Sequence, residues 1–279
     1  MKTLFFAGVA AAASLAQAVE WKNVDADHYL GGRKASEGYL QGKVVLVDRW
    51  GAHCPPCRAL LPRVEKLWQS FKTKPLVVLG GHCKGWGAAD EVAELVKTHK
   101  LTYPIYEDAA LASGEPQFDA IPFLYVVDET GKVVYQGHGE HEATEAIVTA
   151  LTDMESPKDL KQWRRFLDYE LEHLPCRGYL RLKEFRKKFP KEAKEYESKA
   201  KELLAIKDLK KVVDLVEFAK KAKDPPVFGP KDKAKKAKYE KLVKSVILKC
   251  DAFKTHSDSR VAQEAKNAIA DLKWAQATF

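Results

Sequence analysis

Gly42-Lys43-Val44-Val45-Leu46-Val47-Asp48-Arg49-Trp50-Gly51-Ala52-His53-Cys54-Pro55-Pro56-Cys57-Arg58 reads as a strand that runs straight into a helix. Val44 to Val47 is a continuous β-branched and apolar run, as a strand buried on both faces shows. After Arg58, the residues Leu60, Leu61, Val64, Leu67, Trp68 and Phe71 recur at helical spacing. The two cysteines therefore stand at a strand-to-helix corner. A helix start offers unpaired backbone N–H groups and the positive end of the helix dipole, and both favour a thiolate over a thiol. Cys54 is expected to have a lowered pKa and to be the attacking sulfur. Cys57, one helical turn further in, is placed to displace a partner from Cys54. The chemistry this implies is thiol–disulfide exchange through a mixed disulfide.

Outward from that corner the pattern is α/β. Leu76 to Leu79 is a second buried strand closed by Gly80-Gly81, and Ala88 to His99 a helix apolar at Val92, Leu95 and Val96. Phe123 to Val127 is a third strand, with a turn at Asp128-Glu129-Thr130-Gly131 and a returning strand over Lys132 to Gln136. Thr144 to Leu151 is expected to close the unit as a helix. Alternating strands and helices followed by a hairpin predict a sandwich, a central mixed sheet flanked by helices.

Cys-x-x-Cys is also a zinc-ligand spacing. A zinc site usually brings a second pair, and no second Cys-x-x-Cys occurs. A motif that follows a strand and opens a helix fits a redox role. Ile121-Pro122 precedes the third strand, where a cis proline would set its backbone beside Cys54. A metal- or partner-binding protein on the same scaffold is the competing reading, distinguished by bound metal and no turnover. An oxidase or isomerase would use the same site.

Residues 40–50 together with Cys54 to Arg58 resemble the thioredoxin superfamily, and within it the exported TlpA/ResA-like thiol–disulfide oxidoreductases. Pro62, five residues past Cys57, matches the proline that bends the family's active-site helix. Ile121-Pro122 matches its cis-proline position and Asp128-x-x-Gly131 its last hairpin. The likeness spans about residues 20–153. It implies a thioredoxin-like fold, a redox-active Cys54–Cys57 disulfide, and Pro122 supplying a docking backbone, with Trp50 and Ile121 beside it in substrate binding. It also implies protein disulfide or dithiol substrates, a reducing direction fed by a membrane thiol donor, and no cofactor. By the same resemblance Asp48, six residues before Cys54, shuttles a proton; a carboxyl in apolar surroundings has its pKa raised towards neutrality. Two residues depart from the family pattern: Arg49, where an aromatic is usual, and His53, whose cationic form would stabilise the Cys54 thiolate.

Three more cysteines complete a set of five. A Cys176–Cys250 disulfide is expected, closing a long loop. Cys83, in Gly80-Gly81-His82-Cys83-Lys84-Gly85-Trp86, reads as a semi-buried structural thiol. His82 and Cys83 could join Cys54 and Cys57 around copper or zinc, but no spacing demands it.

The chain has 279 residues, 46% of them hydrophobic, and formal net charge +8. That excludes general disorder, and a single long apolar run excludes a multi-span membrane protein. The run lies at the start: Lys2, then Leu4 to Leu15, closed by Ala16-Gln17-Ala18, which is the layout of a cleavable secretory signal. An exported, periplasmic protein starting at Val19 is expected, with residues 19–156 as the thioredoxin-like domain and 157–279 as a basic all-helical one. Residues 1–156 carry fifteen Lys/Arg against twenty Asp/Glu, and 157–279 carry thirty-two against nineteen. Past Pro157 the strand signals stop. One helical face is marked by Leu160, Trp163, Leu167, Leu171 and Leu174 and ended by Pro175 and Gly178, and further helices follow. Nucleic acid is not expected as a partner, since no binding motif accompanies the lysines. An anionic envelope surface or an acidic partner suits them better, and interspersed acids such as Glu192, Glu195 and Glu197 read as solvated helix faces.

Overall fold

The computed structural model describes residues 18–71, 74–222 and 233–276. The expected signal segment, residues 1–18, lies outside the described residues except for Ala18.

The sheet forms where the apolar runs predict it, with additions. β1 (Trp21–Lys22) and β2 (Tyr29–Gly31) precede a one-turn helix α1 (Glu37–Leu40). β3 (Val44–Trp50) leads into α2 (Pro55–Ser70), then β4 (Leu76–His82), α3 (Ala89–Thr98), β5 (Ile105–Glu107) and β6 (Ala110–Leu111). β7 (Phe123–Val127) and β8 (Val133–Gly137) form the hairpin, and α4 (Glu140–Glu155) follows. Six strands pair in the order β2-β5-β4-β3-β7-β8. β3 is parallel to β4 and antiparallel to β7, so the sheet is mixed, and β3 lies inside it with no free edge. The small strands were not read from the sequence because two or three residues carry no periodicity.

Alternation along β3 sorts its side chains between two cores. Val44, Leu46 and Trp50 pack with Cys57, Leu60, Leu61 and Val64 of α2 and with Ala143 and Ile147 of α4. Val45 and Val47 pack on the other face with Tyr39, Leu40, Tyr125 and, from beyond residue 156, Tyr169 and Leu174.

Every described element after Ser156 is helical: α5 (Leu160–His173), α6 (Pro175–Lys188), a 3-10 turn (Glu192–Tyr196), α7 (Glu197–Ala205), α8 (Leu209–Ala222), α9 (Lys233–Asp251) and α10 (Ser259–Gln276). Among the described residues no helix is long and apolar enough to cross a membrane. α5 ends before Pro175 as expected, but Pro175 opens α6 rather than a loop, and Gly178 lies inside that helix. Proline at a first helical position costs nothing, since its missing N–H would be unpaired there. A Cβ on Gly178 would stand 2.7 Å from the Leu171 nitrogen, so the glycine lets α5 and α6 cross closely.

The helices also cover the sheet's second face. Arg33 donates to the Ala270 carbonyl at 2.7 Å, Asn267 to the Gly38 carbonyl at 2.9 Å, and Arg177 to the Gly42 carbonyl at 2.5 Å. Tyr39 donates to Asp271 at 2.8 Å, and buried Lys43 pairs with the same carboxylate at 3.2 Å.

Candidate active site

α2 begins at the end of an interior strand, and its N-cap residue is Cys54, with Pro55 and Pro56 in the first two helical positions. Neither proline needs an N–H acceptor there, so the first free donor reaching back to the cap is the Cys57 N–H. It points at Cys54 Sγ at 3.2 Å. Cys54 and Cys57 are joined as a disulfide. The Ile121–Pro122 peptide is cis, and the Ile121 carbonyl oxygen lies 3.7 Å from Cys54 Sγ. Strand, helix and the loop before β7 thus converge on one sulfur. The Pro122 carbonyl accepts a hydrogen bond from His138 Nδ1 at 2.6 Å, which ties that loop to the end of β8.

Asp48 lies two residues before Trp50 on β3, so alternation turns it to the same core as Cys57. It is 1% exposed, and neither carboxyl oxygen has a hydrogen-bond partner among the described residues. Burial raises its pKa to about 7, opposed by the charge of Arg49. Its neighbour on β4 is Gly80, and a Cβ there would stand 3.0 Å from the ring of Tyr103. That ring belongs to the same core, and its hydroxyl is pushed well above the usual phenol range by burial and then by Asp48.

Two sequence expectations change, and one residue beside the site went unread. Trp50 is fully buried beneath α2 and meets His82 edge-on at 5.0 Å, so it does not reach a substrate. The exposed aromatic beside the disulfide is Trp86, which was not singled out from the sequence although glycines flank it on both sides. The expected Cys176–Cys250 disulfide is absent. Both thiols are free and buried, and they belong to different apolar clusters, one around α5 and α6 and the other between α9 and α10.

The departures from the family pattern also find places. Arg49 points to the second face, donating to the Ala109 carbonyl at 3.1 Å and pairing with Asp108 at 3.2 Å. His53 Nε2 lies 2.9 Å from both Glu91 oxygens, so a protonated ring would share its charge with a carboxylate beside it. Glu91 is held below its ordinary pKa by the Ala88 N–H and by His53. His82 is buried, its pKa lowered by desolvation, and Nε2 accepts the Ala52 N–H at 3.3 Å. Cys83 is a buried thiol raised in pKa by burial. Among the described residues no group of three or more His, Cys, Asp or Glu is arranged to hold a metal.

Residues 17–152 match the Redoxin family model. The thioredoxin-like protein YneN of Bacillus subtilis is 31% identical over 37% of this chain and 61% of its own length. The thiol-disulfide oxidoreductase ResA of Bacillus cereus is 29% identical over 40% of this chain and 64% of its own. Residues 17–152 are thus similar to the Redoxin family and to thiol-disulfide oxidoreductases of the ResA kind. The crystal structure of a thiol:disulfide interchange protein from Chlorobium tepidum superposes with TM-score 0.37 at 21% identity, covering 44% of this chain and 90% of that one. The chain spans less than two thirds of the two curated relatives' lengths. The family match ends at residue 152, within α4, and the helices α5 to α10 fall outside it.

Proposed function

We propose that the chain is an exported protein thiol–disulfide oxidoreductase that works as a reductase. The observation that carries the proposal is the Cys54–Cys57 disulfide at the start of α2, with a backbone carbonyl from Ile121 3.7 Å from Cys54 Sγ. An extended substrate segment can pair with backbone at that loop while its own sulfur meets Cys54.

In the reducing direction, the Cys54 thiolate attacks one sulfur of a substrate disulfide. A Cys54–substrate bond forms, the substrate S–S bond breaks, and the departing thiolate takes a proton. The Cys57 thiol gives its proton to Asp48, and the new thiolate attacks Cys54 Sγ. This releases the second substrate sulfur and leaves the Cys54–Cys57 disulfide. Two electrons have passed to the substrate, and a thiol donor at the membrane restores the dithiol. An acid with a pKa of about 7 accepts that proton readily at neutral pH. The helices beyond residue 156 form a second unit on this reading, whose basic outer faces meet an anionic envelope surface or an acidic partner.

Insulin reduction driven by dithiothreitol tests the activity. Wild type accelerates it, and Cys54→Ser does not; equal rates overturn the reading. Equilibration of Cys54/Cys57 with glutathione tests the direction, a low potential meaning a reductase and a high one an oxidant. Export predicts a mature N-terminus at Val19.

A further inference from the structure

The rim of the disulfide contains one feature that the exchange chemistry does not use. Trp86 is 47% exposed, whereas Trp21, Trp50, Trp68 and Trp163 are all buried. A half-exposed indole presents apolar ring area that a partner can cover. The backbone that carries this ring is fixed by hydrogen bonds. The Trp86 N–H donates to the Cys83 carbonyl at 3.2 Å, and the Trp86 carbonyl accepts the His53 N–H at 3.0 Å. The Cys83 N–H donates in turn to the Trp50 carbonyl at 2.7 Å. Gly85 and Gly87 on either side have φ of +83° and +131°, a backbone that side chains resist. The loop is therefore built to lay Trp86 along the strip that leads to Cys54.

The floor of that strip is Gly51. A Cβ there would fall 2.5 Å from Trp86 Cβ and 3.2 Å from Ile121 Cδ1, so the two side chains come close above the glycine. Trp86 forms one wall, Ile121 the other, and the Ile121 carbonyl at the far end adjoins Cys54 Sγ. Cys54 itself is only 3% exposed, so a visiting sulfur has to arrive past these walls. The charged pair nearest the strip, His53 and Glu91, is satisfied internally at 2.9 Å. What remains on offer is apolar surface and a backbone acceptor.

We propose that Trp86 is a specificity-determining residue: with Ile121 and Gly51 it receives an aromatic or branched aliphatic side chain next to the reacting cysteine of an extended protein substrate. This rests on the oxidoreductase reading and adds the class of substrate. A charged neighbour would lose water there without gaining a partner.

Two disulfide-linked peptides that differ only in the residue next to cysteine, Phe in one and Gly in the other, test it with the full chain. For wild type the Phe peptide has the lower KM. Trp86→Ala raises KM for the Phe peptide about tenfold and leaves kcat and the Gly peptide within about twofold, a loss of the size expected for one aromatic contact. Trp86→Phe keeps most of the preference and shows that the loop still folds. Reduction of the Cys54–Cys57 disulfide by dithiothreitol, which has no side chain for the strip, proceeds equally in all three proteins. An unchanged Phe-to-Gly ratio in Trp86→Ala overturns the proposal, and so does an equal rise for both peptides. If Cys54→Ser turns over the peptides as fast as wild type, the oxidoreductase reading falls first and takes this one with it.

Discussion

Two helices in this molecule begin the same way and end up chemically opposite. α2 starts with Cys54-Pro55-Pro56-Cys57 and α6 with Pro175-Cys176, each with proline in the first turn and a cysteine among the donors at the helix start. At α2 the atom that reaches the free N–H groups is a sulfur, Cys54 Sγ, which accepts from Cys57 at 3.2 Å. At α6 that place is taken by a carboxylate from α10. Glu264 accepts the Cys176 N–H at 2.7 Å and the Arg177 N–H at 3.0 Å. The Cys176 thiol, fully buried, is pushed far up in pKa by burial and then by Glu264. A helix start stabilises whichever negative atom arrives there. Where the chain delivers no carboxylate, the cysteine receives the benefit; where it does, the cysteine becomes inert.

The buried acids at the two corners differ in the same way. Asp48 and Glu264 are both brought to a pKa of about 7 by burial. Glu264 has two backbone donors, whereas Asp48 has no hydrogen-bond partner among the described residues. One is a structural cap, and the other keeps both carboxyl oxygens without a hydrogen bond among the described residues.

The widest gap between the corners should appear in reactivity. After reduction with dithiothreitol at neutral pH, iodoacetamide should modify Cys54 at least about a hundredfold faster than Cys176, as thiolate fraction and access dictate. Comparable rates, read by peptide mass spectrometry, would break the contrast. Cys176→Ser should leave insulin reduction as in wild type.

Asp48 offers a test in which the sign matters. Its folded pKa lies above the ordinary 3.8, so folding favours the neutral form. That stability is present below about pH 4 and is lost as pH rises towards 7. Asp48→Asn should therefore be more stable than wild type at pH 8 by roughly 4 kcal/mol, at about 1.4 kcal/mol per pKa unit, and match it near pH 4. Urea unfolding at the two pH values measures this. The same variant should slow turnover near neutral pH, and an unchanged pH–rate profile would remove the proton role.

Glu264→Ala should move the other way near pH 4, costing about 2 kcal/mol because two buried N–H groups lose their acceptor, and the cost should shrink as pH rises through 7, where the buried carboxyl ionises. A stabilised variant would mean that the cap does not matter. The smallest effect is expected at Arg165, half exposed on α5, which pairs with Asp128 of the hairpin turn and donates to Thr130 Oγ1 at 3.0 Å. Asp128 keeps bonds from the Thr130 and Lys132 N–H groups, so Arg165→Ala should cost about 1 kcal/mol by thermal denaturation.

Much of the site was legible in the sequence because its parts are local. A β-branched run, a cysteine pair at helical spacing and an Ile-Pro step each carry their own conformational preference. Trp50 was misassigned because a one-dimensional pattern gives period but not which face of the strand meets α2. Alternation put Trp50 with Leu46 on the α2 side, and the exposed ring had to come from the neighbouring strand's loop. The Cys176–Cys250 pairing failed for a related reason. Two cysteines on apolar helical faces look like partners, and only packing shows that each belongs to a separate cluster.

The amino-acid order alone determined the strand-to-helix corner, its two sulfurs and an acid one strand-length behind them, since each follows from neighbours a few residues apart. Tertiary packing decided what no spacing contains. It brought Glu264 across 88 residues to silence Cys176, set Trp86 above Gly51, and laid the C-terminal helices over the sheet's second face. Hydrogen bonds and apolar contacts between distant segments depend on where the folded chain returns to itself, and that is a property of the whole molecule.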